Sequence, residues 1–277
     1  MKKTVIRSKE SLFNIDLSEI IRYKDLWLMF VKRDVVLSYK QTILGPAWFF
    51  INPILTTVIY TFVFGGIARI STDGLPQPLF YLSGICLWNY FSECINRTSD
   101  VFTANEYLFG KVYFPRLIMP LCTVTSALLR FAIQLSLFVC VYIYYFTQGV
   151  NISPNWYILF VPVLVLMLAG LSLGVGIIIS SLTTKYRDLK NFFAFAVTLW
   201  MYATPVIYPL SVLSPKHQII AAINPVTPIF EAFKYATMGI GIFDKSQLVY
   251  SFVFMVVLLV TGILIFNKVQ RSFMDTV

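Results

Sequence analysis

Charged side chains fall in blocks along the chain, and the gaps between blocks have the length of bilayer-crossing helices. No charge occurs between Lys40 and Arg69, or between Asp73 and Glu93. A third uncharged run extends from Phe131 to Thr184, well beyond the ~20 residues of one span. Its middle, 147–155, reads Thr-Gln-Gly-Val-Asn-Ile-Ser-Pro-Asn, a turn-forming cluster. This run therefore predicts two helices, near 117–146 and 156–182, joined by a short turn. Further gaps run from Asn191 to Pro215 and from Ser246 to Asn267. The pattern predicts an all-α integral membrane protein with six transmembrane helices, and the even number puts both termini on one side.

Composition agrees with lipid as the main solvent. Hydrophobic residues make up 58% of the 277 positions and charged residues 13%, against roughly 45–50% and about 25% in average usage. Mean hydropathy is +0.75. A soluble chain this apolar lacks the polar groups to cover its surface. The net charge of +9 is explained mostly by sidedness. Of 22 basic residues, 17 lie on the terminal side, and Arg69, Lys216, Lys234 and Lys245 lie opposite, with Arg130 inside a span. The positive-inside rule then makes both termini cytoplasmic, and no nucleic-acid surface is required. The basic start, Met1 to Glu10, has no apolar core behind it and predicts no signal peptide. Cys86, Cys94, Cys122 and Cys140 have no metal-ligand spacing and read as apolar filler.

Three segments are not simple spans. Over 17–36, Leu17, Ile20, Ile21, Trp27, Leu28, Val31 and Val35 recur at helical spacing, opposite Ser18, Arg22, Asp25, Lys32 and Arg33. This predicts an N-terminal amphipathic interface helix, either a plain surface anchor or a docking surface for a partner. The inner loop 100–116 carries Phe102, Tyr107, Phe109, Tyr113 and Phe114. Rings at that density are costly in water, so a short helix packed on the membrane or on a partner is expected. The outer connection 212–245 contains Pro215, Pro225 and Pro228, and its apolar pieces are too short to span. It predicts two short re-entrant gate helices before the last span. Pro205 and Pro209 predict a bent outer end on the span before it. Glu93 and Arg130 are the charges inside apparent helices. Such charges are functional candidates. Arg130 fits either a cavity or a structural pairing, with Glu93 as the expected partner. Gly170, Gly174 and Gly176 form a small-residue face that lets two helices approach.

Several chemistries have no footing. No Gly-x-x-x-x-Gly-Lys-Ser/Thr phosphate loop occurs, so ATP binding in the usual way is not expected. The single His217 disfavours a metal site, and no hydrolase elbow or zinc helix is present. A multi-span glycosyl- or acyltransferase would have to rely on Glu106, Asp188 or His217. A passive path, or a permease powered by another chain, fits better.

Several motifs resemble the ABC-2 type permeases that export polysaccharide. They are Ser38-Tyr-Lys-Gln-Thr-Ile-Leu-Gly-Pro-Ala-Trp48, Asn52-Pro53, Lys111-Val-Tyr-Phe-Pro-Arg-Leu-Ile-Met-Pro120, Lys185-Tyr-Arg-Asp-Leu189, Thr204-Pro-Val-Ile-Tyr-Pro209 and Asn224-Pro-Val-Thr-Pro-Ile-Phe-Glu-Ala-Phe-Lys234. Ser38 and Lys234 depart from the pattern, since an arginine is common at both, and Leu117 stands where an acid often follows. The resemblance implies a homodimer in the bacterial inner membrane, served by two separate cytoplasmic ATPase subunits. ATP and magnesium would belong to those subunits, and this chain would bind no cofactor and catalyse no reaction. The substrate would be an undecaprenyl-diphosphate-linked glycan, O-antigen first, with teichoic acid or capsule as alternatives and a drug or lipid exporter after them.

On the same basis the chain divides into a cytoplasmic segment 1–42, a permease domain 43–268 and a tail 269–277. Trp27, Arg33, Asn105, Glu106, Tyr107, Leu108 and Phe109 would form the ATPase-coupling surface. Trp48, Phe49, Tyr60, Tyr81, Trp88, Tyr90, Arg130, Trp200 and Tyr202 would line the channel, with aromatic faces stacking on sugar rings. Pro205, Tyr208, Pro209, Pro225, Glu231 and Lys234 would belong to the outer gate.

Overall fold

A computed structural model describes residues 17–40, 43–109, 111, 113–186 and 188–274. The basic start Met1 to Glu10 and the last residues of the expected tail lie outside the described residues. Among the described residues every regular element is helical.

The described residues form twelve α-helices, in order: α1 Leu17–Arg22, α2 Lys24–Tyr39, α3 Trp48–Tyr60, α4 Gln77–Ser99, α5 Val101–Ala104, α6 Glu106–Phe109, α7 Ile118–Thr147, α8 Val161–Thr183, α9 Leu189–Tyr202, α10 Pro215–Ile223, α11 Thr227–Met238 and α12 Lys245–Met274. Among the described residues, four stretches are long and apolar enough to cross a membrane: Gly45–Ile67, Ile118–Thr147, Trp156–Thr183 and Lys245–Gln270. Beyond Tyr60 the first of these widens to π-type hydrogen bonding over Thr61–Ile67, with Ala68 N–H donating to Val63 O (2.9 Å). At Gly65 the Gln77 side chain occupies the space a Cβ would need.

The two expected spans with polar content behave differently. α4 carries Asn89, Glu93, Asn96 and Arg97, yet most of it is buried. It packs against α8, α7 and α3, so its polar groups meet protein rather than lipid. α9 has only 14 residues and ends at Tyr202. The prolines therefore terminate this helix instead of bending it, since each lacks the N–H that the next turn would need.

The main core gathers the buried faces of α4, α7, α8 and α11 with Val206 and Ile207. α8 and α12 approach closely at glycine. A Cβ on Gly174 would lie 2.9 Å from Leu258 Cδ2, and one on Gly262 would lie 3.1 Å from Gly174 O. The small-residue face thus serves helix packing, as its spacing suggests.

A second, smaller core sits at the end where α2 lies. Ile20, Phe30 and Val31 meet Phe102, Phe109, Phe114, Ile118 and Phe266 there. The expected amphipathic helix is two helices with a break at Tyr23, and its apolar residues divide between two faces. Phe30 and Val31 face the core, while Ile21 and Leu28 are exposed.

Candidate substrate path and coupling surface

The 100–116 loop is built by its own rings. Phe102 stacks on Phe266 (4.5 Å between centroids) and tilts against Phe109 (5.9 Å), which meets Phe114 (5.7 Å). Asn105 Nδ2 donates to Val101 O (2.9 Å), closing α5. Lys190 pairs with Asp100 (2.5 Å) and ties the start of α9 to this loop. Tyr107 and Tyr113 stay exposed, at 71% and 67%. Phe109 is buried and Leu108 half-buried. The expected coupling residues are therefore of two kinds: Phe109 and Leu108 hold the loop, and Tyr107 projects from it. Glu106 begins α6. Trp27 packs against the second core, with its indole N–H buried and without a hydrogen-bond partner among the described residues.

Arg33 belongs to a charged network that joins α2 to α4 and α7. Arg33 Nη2 pairs with Asp34 Oδ1 (3.0 Å) and Arg97 Nη2 with Asp34 Oδ2 (3.3 Å). Arg97 Nη1 reaches Glu93 Oε1 (3.6 Å), and Arg130 Nε lies 2.7 Å from that same oxygen. Arg130 Nη1 donates to Ser38 Oγ (2.6 Å), which donates to Asp34 O (2.7 Å). Arg130 is thus in the structural pairing expected from the sequence. Asp34, Arg97 and Ser38 were missed as members, although the i,i+4 spacing of Glu93 and Arg97 was a signal.

The nine candidate channel residues divide by burial. Tyr81, Trp88 and Tyr90 lie inside the chain's own core. Trp88 meets Phe91 (5.4 Å) and Tyr90 meets Phe131 (5.2 Å). Trp48 and Tyr202 are exposed, Phe49, Tyr60 and Trp200 half-buried, and Arg130 buried. Tyr60 Oη approaches Met201 Sδ (3.6 Å), placing α3 beside α9. An open apolar groove of about 560 Å³ lies between α8, α9 and α12, with Ile179, Val197, Trp200 and Leu258 among its walls.

At the other end, the backbone freed by Pro205 and Pro209 finds side-chain partners. Lys234 Nζ donates to Pro205 O (2.6 Å) and lies 3.4 Å from Glu231 Oε1. It also sits over the Phe80 ring at 4.3 Å. Glu231 Oε2 accepts from Ile242 N–H (3.1 Å). Asn224 Nδ2 donates to Thr204 Oγ1 (2.9 Å) and Ala203 O (3.3 Å), and its Oδ1 accepts from Trp200 Nε1 (3.1 Å). Tyr208 donates to Tyr202 O (3.0 Å). Pro225 O accepts from Ser251 (2.7 Å). The six candidate gate residues thus fall in one region. Asn224 was missed, and its role depends on contacts 20 and more residues away. α11 is almost wholly buried, whereas α10 exposes Ile219, Ile220 and Ile223.

Residues 25–238 match the family model described as ABC-2 type transporter. The chain is 26% identical to the O-antigen export system permease protein RfbA of Klebsiella pneumoniae, covering 91% of this chain and 94% of that one. It is 26% identical to the RfbA protein of Myxococcus xanthus, covering 94% and 98%. Similarity extends to the polysialic acid transport protein KpsM of Escherichia coli, at 21% identity over 88% and 93%.

Proposed function

The chain belongs to the ABC-2 type transporter family, and from that membership we propose that it is the membrane permease of a polysaccharide exporter. The proposed substrate is a glycan on a polyprenyl diphosphate carrier, with O-antigen the foremost class. The observation that carries this reading is near end-to-end similarity to permeases named for O-antigen export.

Under this reading the chain spans the bacterial inner membrane six times. The spans are α3 with its π extension, α4, α7, α8, α9 and α12, and α10 and α11 form a re-entrant gate on the periplasmic side. Both termini are cytoplasmic, the permease domain runs from 43 to 268, and segments 1–42 and 269–277 flank it. The functional unit is a homodimer with two ATPase subunits that hold ATP and magnesium. Exposed Tyr107, with Trp27 and Arg33 nearby on α2, is offered to the ATPase. Exposed and half-buried aromatics suit a moving polymer, because ring faces attract sugar C–H groups without one deep site to stall it. That role is assigned to Trp48, Phe49, Tyr60, Trp200 and Tyr202.

Deletion of the gene tests the reading. The expected result is loss of surface glycan with lipid-linked glycan retained inside, restored by the intact gene. Normal surface glycan in the deletion strain overturns it. Similarity to a polysialic acid transport protein favours capsule as the second reading, and the identity of the lost glycan separates the two.

A further inference from the structure

Among the described residues, the charges of the network between α2, α4 and α7 do not balance. It joins three guanidinium groups, Arg33, Arg97 and Arg130, to two carboxylates, Asp34 and Glu93. Ser38 and Cys122, which also touch it, are neutral. One positive charge is left over among these groups. Arg130 shows the same shortfall at the level of atoms. It is 6% exposed, its Nη2 is buried, and that nitrogen has no hydrogen-bond partner among the described residues. A surplus positive charge shared by such a network at membrane depth is costly, and an anion from outside the chain would offset that cost.

The network is also graded in exposure. The side chains of Arg33 and Arg97 are 38% and 33% exposed, and that of Arg130 only 7%. The Arg97 contacts, at 3.3 and 3.6 Å, are long for charge-assisted hydrogen bonds, which run nearer 2.7–2.9 Å. A better acceptor would therefore find Arg97 only loosely committed. Guanidinium offers a planar fork that fits phosphate oxygens in pairs. The segment that carries Arg33 exposes Ile21, Leu28 and Leu37, the side chains that meet acyl chains when a helix lies at the membrane surface. Lipid phosphates occur at that depth.

We infer that Arg33 and Arg97, backed by Arg130, form an acceptor site for a phosphate carried by a membrane lipid. The inference rests on the reading of α2 as an interface helix given above. A bound phosphate takes the place of part of the Asp34 and Glu93 contacts to Arg97, and so alters the link between α2 and the α4–α7 pair. The lipid is either a leaflet phospholipid or the polyprenyl diphosphate carrier, since both present the same chemistry.

The test uses the purified full-length chain in detergent, with farnesyl diphosphate, farnesol and short-chain phosphatidylglycerol as probes in titration calorimetry. Farnesyl diphosphate is expected to bind at least about tenfold more tightly than farnesol, as for lost hydrogen bonds to a charged group. Arg97→Gln and Arg33→Gln should each weaken diphosphate binding by about tenfold. Glu93→Gln removes a competing carboxylate and should strengthen it, which a purely structural role would not produce. Should Arg97→Gln fail to fold, Arg33→Gln at the exposed end still decides. Phosphatidylglycerol binding as tightly as the diphosphate assigns the site to leaflet lipid, and a clear preference for the diphosphate assigns it to the carrier. Equal binding of farnesol and farnesyl diphosphate, or unchanged binding in both arginine variants, overturns the inference. The export reading is judged separately by surface glycan in the deletion strain.

Discussion

Ser38 is where Arg130 Nη1 lands, at 2.6 Å. A hydroxyl there accepts from one guanidinium, whereas a second guanidinium would repel it. Ser38→Arg is expected to lower the melting temperature of the detergent-solubilised protein, and Ser38→Ala to lower it less. An unchanged melting point for Ser38→Arg would show that Arg130 is free to turn away. Phe109 and Tyr107, two positions apart, should separate just as clearly. Phe109→Ala empties a buried ring site and should cost about 3–5 kcal/mol, read as a lower melting temperature. Tyr107→Ala, on an exposed side chain, should leave melting unchanged and reduce ATPase co-purification. Retained co-purification removes Tyr107 from the coupling surface. Aromatic density marked this loop in the sequence, but which ring turned inward was not legible. That choice depends on Phe266, more than 150 positions away.

Helices are where the sequence was easiest to read and also where it misled. The turn cluster at 147–155 lies between α7 and α8 as expected, and the prolines of the outer connection delimit α10 and α11. α2 is less regular than its spacing implied, because its apolar residues serve two surroundings, protein for Phe30 and Val31 and open surface for Leu28. α4 illustrates the reverse problem. Its polar residues lower its hydropathy below that of a span, yet its neighbours shield it, and a shielded helix needs no apolar surface. At the contact of α8 with α12, Gly174→Val should force the pair apart. Overpacking of this kind costs about 1–3 kcal/mol, and the expected reading is reduced yield and a lower melting temperature. Normal melting would mean that Leu258 can move aside.

For the molecule as a whole, charge distribution predicts orientation without reference to packing. A fluorescent protein fused to the C-terminus is expected to glow in the cytoplasm, while a phosphatase fused there stays inactive. The opposite pair of results would invert the topology and exchange the sites proposed for ATPase and gate. The polar ends of the fold were the least legible part of the sequence. Lys234 reads as an outer-side charge, yet it is 1% exposed and holds a proline carbonyl. Its partner backbone is freed only because Pro205 and Pro209 stop α9, so the two facts have to be read together.

The stop itself sets a length. Fourteen residues of α-helix rise about 21 Å, some 9 Å less than the ~30 Å of a bilayer's hydrocarbon layer. Beyond Tyr202 the chain continues as irregular backbone, with the Ala203 and Pro205 carbonyls held by Asn224 and Lys234. If, as proposed, a chain of sugars passes beside α9, it meets regular helix over only part of the membrane's thickness and polar backbone held by side chains over the rest.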